Sequence, residues 1–479
     1  MADDLIMQSQ GNGWFWHDHT YNMKSNYTSS IFRSYDVWYA NYRWISNVNY
    51  IIDAAPAMEG SQADVAYVVG QAYAIRALCY LNLATWFSRA PYDPMNGRQR
   101  WTEACVPVYT TGTSIDTGGQ PRATLQQVYG LIDTSLSFVS SDADIAGHDR
   151  VNSFSMENAK EFGSRFGLKG SEDLGNGYKV AFVLESGIKS DDGSLDQGGK
   201  LFGREAHVDL VGPFGKLSAG LMPVFGSTLG ADGLFRAIDP LFANYTKAFG
   251  SGHVTASSWT RVDNALSYVT PTVAGFTGYA MYSFKNDSSK GGVEGHGGES
   301  DRYASLAARY KAGALEAVLV ADTTMYGTYR TDTAASQDDG WTVTFGGNYT
   351  FDGGVKVLAF TQFFGDQELK ARPRAGVGFD GINAVAGDYG FVDGYGVSLG
   401  VNVPAMGGVA KAQVAYRDMD NKDNVDFKRV IAALGYDYAL SKRTAVYAMT
   451  GWSQEKVENG TTEAKPNGYE FTTGIVHRF

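Results

Sequence analysis

The sequence predicts a mainly-β chain, a sixteen-stranded antiparallel transmembrane β-barrel preceded by a short α-helical segment. Three observations carry that expectation. Apolar and polar residues alternate with a period of two in run after run from Val128 to the end. Tight Gly/Asn/Asp turns alternate with longer polar loops. The composition also breaks within the chain: only 8 of 58 glycines precede residue 125, whereas six of nine tryptophans and both cysteines lie there. Other classes are excluded. With 44% hydrophobic, 13% aromatic and 19% charged residues the chain is too apolar to be disordered. Two cysteines cannot staple a disulfide scaffold. No apolar stretch reaches the roughly 18 residues a membrane helix needs. A net charge of −11 argues against nucleic acid as a partner.

The helical part comes first. From Asp36, Trp38, Tyr42, Ile45, Val48 and Ile52 recur at helical spacing and stop before Pro56. A second run, Ser61 to Phe87, places Val65, Val68, Ala72, Ile75, Cys79, Leu83 and Trp86 on one face. The short Pro56–Gly60 turn makes the two an αα-hairpin, TPR-like in form. Strands follow. Residues 162–170 set Arg165, Gly167 and Lys169 against Phe166 and Leu168. In residues 178–186, Lys179, Ala181, Val183 and Glu185 oppose Val180, Phe182 and Leu184. The pattern returns in 341–351, 355–363, 397–403, 409–416, 430–438 and 444–452, giving sixteen candidate strands in all. Turns such as Gly175-Asn176-Gly177, Asp352-Gly353-Gly354 and Met406-Gly407-Gly408 alternate with loops over 286–301, 327–339, 366–388 and 455–466. A soluble β-sandwich has the same period. An even strand count, with short turns at one end and long loops at the other, fits instead a closed barrel with lipid outside and water inside. The domains expected are residues 1–124 and 125–479.

Several segments carry family motifs. Ser164-Arg165-Phe166-Gly167-Leu168-Lys169-Gly170 continues through Ser171-Glu172-Asp173-Leu174-Gly175. Met222-Pro223-Val224-Phe225-Gly226 and Arg261-Val262-Asp263-Asn264-Ala265-Leu266-Ser267-Tyr268 bracket a long loop, and the chain ends Gly474-Ile475-Val476-His477-Arg478-Phe479. In order and spacing, residues 125–479 resemble the general diffusion porins of Gram-negative beta-proteobacteria. That resemblance implies an outer-membrane barrel in contact with lipid, usually a homotrimer, whose terminal Phe479 is read by the barrel-assembly machinery. The earlier run Gly70-Gln71-Ala72-Tyr73-Ala74-Ile75-Arg76, with Pro91-Tyr92, Val106-Pro107-Val108 and Pro121-Arg122-Ala123-Thr124, resembles the SusD/RagB lipoproteins. Those are surface glycan-binding partners of TonB-dependent transporters, and about 120 residues match. The two resemblances meet near Gln126–Ile132, as a fusion would. They also imply opposite sides of the membrane, since porin N-termini are periplasmic. Met1-Ala2-Asp3-Asp4 begins no visible export signal.

A diffusion pore needs no catalytic group, metal or cofactor. It needs a narrowing where opposite charges face one another across water, so that polar solutes are ordered and small ones favoured. In the family this resembles, a loop after the fifth strand folds inward with acidic groups. Here it spans Gly226–Thr260, with Asp232 and Asp239 as its only acids and Arg236, Lys247 and His253 beside them. Arg165, Lys169 and Arg261 share lumen parity, and Glu185 is a lumen acid. Arg204 occupies the family's wall-arginine place, but Ala206, Val208 and Leu210 lie on its side, so its parity is ambiguous. The constriction set expected is therefore Arg165, Arg204, Arg261, Asp232, Asp239, Lys169 and Glu185, with the sign of ion selectivity open.

Other patterns are weaker. His17-Asp18-His19 lacks further metal ligands, Gly376–Gly381 lacks the helix a dinucleotide fingerprint requires, and Asp418, Asp420, Asp423 and Asp426 lack a calcium loop's Gly and Glu. Trp14, Phe15, Trp16 and Trp101 could stack on sugars, and Cys79 reads as a buried thiol. The function expected is passive diffusion of small hydrophilic solutes and ions, with no enzyme activity. The alternative is a SusD-like glycan-binding protein partnering a TonB-dependent transporter.

Overall fold

The computed structural model describes residues 34–87, 104–109, 112–113, 122–124, 128–144, 149–243, 245–256, 260–330, 338–369, 389–460 and 462–479. The motifs at residues 14–19, 91–92, 101 and 376–381 lie outside them. Two compact units divide the chain, Met1–Val128 and Tyr129–Phe479. No helix among the described residues is long and apolar enough to cross a membrane.

The first unit holds α1 (Ser34–Ala54) and α2 (Gln62–Phe87), joined through a 3₁₀ turn that begins at Ala55 with Pro56 at its start. Ser61 caps α2: its hydroxyl accepts the Asp64 N–H at 3.1 Å and donates to the Asp64 carboxylate at 2.6 Å. Two short antiparallel strands, Ala104–Pro107 and Arg122–Thr124, complete it. Its core is small: Ile45, Cys79, Tyr80, Leu83 and Val106. The face expected for α2 is corrected here. Ala72, Cys79, Tyr80 and Leu83 are buried, but Val68 and Ile75 are exposed. Arg76 takes a place on the inner face by bonding Asn49 at 2.8 Å, and burial pushes the Cys79 thiol up from its ordinary value.

The second unit is a closed barrel. Its strands are β1 (Val128–Asp142), β2 (Val151–Asn158 and Arg165–Gly175), β3 (Tyr178–Gly187), β4 (Glu205–Gly212), β5 (Gly215–Pro223), β6 (Arg261–Val269), β7 (Phe276–Ser283) and β8 (Arg302–Ala312). Then come β9 (Leu315–Met325), β10 (Gly340–Thr350), β11 (Lys356–Leu369), β12 (Gly390–Ala405), β13 (Gly408–Asn421), β14 (Asp426–Ala439), β15 (Thr444–Asn459) and β16 (Thr462–Ala464 and Asn467–Arg478). β16 closes the ring on β1 in the register Arg478↔Leu131 to Asn467↔Asp142. Phe479 and Gly130 exchange both backbone hydrogen bonds, at 2.9 and 3.0 Å. Closure leaves no sheet edge for lipid to meet. Two-residue turns such as Asn176-Gly177 (φ 53° and 80°) have the left-handed backbone that tight hairpins require.

Side chains alternate as a membrane barrel demands. In β12, Tyr395, Val397 and Leu399 face outward while Gly396, Ser398 and Gly400 are buried inside. The small inner residues make room for the loop between β5 and β6, which folds into the lumen. Phe235 packs edge-on against Phe360 with ring centroids 4.9 Å apart, and the Asn348 side chain donates to the Ala237 carbonyl at 2.7 Å. A Cβ on Gly396 would sit 1.7 Å from the Val254 carbonyl oxygen, and one on Gly400 2.2 Å from Pro240. Only glycine permits that approach.

Three expectations about strands are corrected. Residues 162–164 are not strand, because β2 breaks after Asn158 and resumes at Arg165. The break turns inward: Ala159 has φ 57°, Lys160, Glu161 and Ser164 are buried, and the Asp133 carboxylate accepts the N–H groups of Glu161 (3.1 Å) and Phe162 (2.7 Å). β11 continues to Leu369 past a bulge after Phe364, and β15 continues to Asn459. In both, backbone pairing carries on through residues that are polar enough to read as loop.

Candidate pore constriction

Glu185, on the inner face of β3, is the centre of the charged site. Arg165 opens the second segment of β2 opposite Gly187, and its Nε lies 3.2 Å from Glu185. Arg204 approaches from the other side, with Nε 2.6 Å from the same carboxylate. Tyr129 adds a third donor at 2.9 Å. One 5%-exposed carboxylate is therefore shared by two guanidiniums and a phenol. The ambiguity over Arg204 disappears because it precedes β4, whose Val208 and Leu210 do face outward. Gly163 lets it in: a Cβ there would stand 2.5 Å from the Arg204 Nη1.

The other expected residues divide. The Lys169 ammonium lies over the Tyr129 ring, 4.7 Å from its centre, and Arg261 donates to the Arg204 backbone carbonyl at 2.9 Å. The loop acids are elsewhere. Asp232 is taken by Lys216. Asp239 is buried, accepts the Ser251 hydroxyl at 2.7 Å and holds the loop to itself, while burial pushes its carboxyl above the ordinary range.

Arg165, Lys169, Arg204 and Glu185 line a cavity of about 400 Å³ together with cationic Arg236 and Arg478 and anionic Glu161 and Glu205, whereas Arg261 lies behind Arg204 and is not part of the lining. Two of the carboxylates have further neighbours: Glu161 meets Lys411 at 3.3 Å, and Glu205 lies 3.2 Å from the His207 ring. Positive charge is in excess. Arg478, Glu161, Glu205 and the cavity's four aromatic residues, Tyr129, Phe162, Phe242 and Tyr245, were not among the site residues expected from the sequence. Arg478 shares inward parity with Glu470, Thr472 and Val476, so alternation along β16 could have found it. Phe162 and Phe242 could not be found that way, because neither lies in a strand.

Four further ion pairs seat the inward segments. Glu470 accepts the Lys160 ammonium at 3.0 Å and the Ala248 N–H at 3.1 Å, and Lys247 reaches Glu157 at 2.5 Å. Arg417 and Arg429 converge on Glu455, with His253 3.2 Å from Arg429.

Comparison with known proteins agrees with this architecture. The family model for Gram-negative porins matches residues 125–457, and one described as starch-binding associating with the outer membrane matches residues 1–141. An outer membrane porin protein of Bordetella pertussis is 30% identical over 387 residues, covering 76% of this chain and 96% of that protein. Outer membrane porin protein 32 of Delftia acidovorans is 31% identical over 335 residues, covering 69% and 84%. Among solved structures, an anion-selective porin from Comamonas acidovorans superposes with a TM-score of 0.53 at 26% identity, covering 74% of this chain and 98% of that one. With a closed sixteen-stranded barrel, an inward loop and a family match over most of its length, the chain belongs to the Gram-negative porins, outer-membrane channels for passive diffusion of small hydrophilic solutes and ions, and carries a SusD-like fragment at its N-terminus.

Proposed function

We propose that this channel prefers small anions, and that Arg165, Arg204 and Lys169, with Arg236 and Arg478 beside them, set the preference. The observation that carries the reading is the sharing of Glu185 by two guanidiniums while both loop acids are engaged away from the cavity. A solute in the narrowing meets uncompensated positive charge between low-dielectric walls, where Coulomb forces exceed those in bulk water. The structural neighbour described as anion-selective supports the same sign. Asp232 and Asp239 then act as loop fasteners, and Glu185 as the counter-ion that holds the arginines in place.

We further propose a homotrimer, assembly through recognition of Phe479, and a domain boundary near residue 125 that follows the SusD-like fragment. The test is single-channel recording of the full chain in a planar bilayer under a KCl gradient. Reversal toward the chloride equilibrium potential is expected, moving toward potassium in Lys169→Glu. Reversal at the potassium side in the wild type overturns the reading. Stepwise openings in threes and heat-sensitive migration on detergent gels are the expected marks of the trimer.

A further inference from the structure

The two segments that turn into the lumen meet through aromatic rings. Phe162, from the break in β2, and Phe242, from the inward loop, have ring centroids 5.0 Å apart at an interplanar angle of 46°. A guanidinium lies on each outer side: Arg478 4.8 Å from the Phe162 ring centre, and Arg236 5.5 Å from that of Phe242. All four line the cavity beside Lys169 and Arg165, and both rings are half-buried and open to it. Aromatic surface that opens on a cavity lined by cations offers a solute both apolar contact and charge.

Phe242 also has φ 58°, a left-handed backbone that a bulky side chain rarely adopts. Such strain persists where the surroundings over-determine it, and it concentrates at functional sites. Here the surroundings aim the ring at Phe162.

We propose that this stack is a subsite for aromatic carboxylates of the benzoate type. The solute's ring face meets the edges of Phe162 and Phe242 that open on the cavity, their faces being covered by each other and by the two guanidiniums, while its carboxylate meets the cations at the cavity wall. Chloride uses only the cations. A saturated ring offers apolar area but lacks the quadrupole that favours offset or edge-to-face aromatic contact. The proposal rests on the anion-preference reading, whose failure is seen separately as a KCl reversal toward potassium.

The test adds sodium benzoate or sodium cyclohexanecarboxylate to the full chain in a planar bilayer and reads the concentration that halves the chloride current. Benzoate is expected to act at a concentration about fivefold lower than the saturated acid. That ratio falls to about one in Phe162→Leu and Phe242→Leu and is retained in Phe242→Tyr. Because it compares two solutes in one conducting channel, a variant that assembles poorly still reports it. Equal potency of the two acids in the wild type overturns the proposal, as does a ratio untouched by both leucine variants.

Discussion

Glu185 receives two guanidiniums and one phenol at 2.6–3.2 Å, so its removal should act on stability and selectivity in opposite senses. Glu185→Gln leaves Arg165 and Arg204 facing each other without a counter-charge, an arrangement that costs on the order of 3 kcal/mol when one partner of a buried pair is lost. The variant should melt earlier and reverse still closer to chloride; thermal denaturation and the KCl gradient read the two effects. Asp239 gives a pH prediction. Its carboxyl lies above the ordinary value because it is buried, against the hydrogen bond from Ser251. The folded chain thus favours the protonated acid. Stability from this group is complete below the ordinary carboxylate value and is lost as pH rises through the raised one. Asp239→Asn should flatten that part of the pH–melting curve, and an unaltered slope would sink the assignment. Arg165 and Lys169 were legible in the sequence because parity along a strand settles which wall a side chain faces. Arg204 was legible only through the family resemblance, because parity has no meaning in the loop where it sits.

At the level of elements, the inward loop is held by shape as much as by charge. Gly396 and Gly400 in β12 admit Val254 and Pro240 to distances no Cβ tolerates. Gly396→Val should therefore unseat the loop and raise both single-channel conductance and current noise; a barrel that folds with wild-type conductance would show that the loop accommodates the added side chain. Strand alternation and the Gly/Asn turns fixed most element positions, since both follow from local backbone geometry. The inward break at 159–164 stayed hidden because its cause is remote: Lys160 is held by Glu470 and Glu161 by Lys411, partners more than two hundred residues away. The burial of α2 was misjudged for a related reason. Arg76 reads as a surface residue until Asn49 on the other helix bonds it.

For the whole molecule, every strand of the closed ring begins at or after Val128. Residues 125–479 refolded in detergent should match the conductance of the full chain, and loss of conductance on that truncation would assign the first unit a part in the channel. Residues 1–124 alone, with a described core of only five clustered buried side chains, should lack a cooperative thermal transition by circular dichroism. The sequence by itself determined the two-part organisation, the sixteen strands, the inside and outside of the wall and the family, because each follows from period-two alternation, turn chemistry or motifs read in order. Only the tertiary structure decided which charges share one space. Closure of the barrel and the infolding of two segments bring Arg165, Arg204, Arg236 and Arg478 to one cavity and turn Asp232 and Asp239 away from it. Those juxtapositions join residues far apart along the chain, and local pattern holds no information about the distances between them.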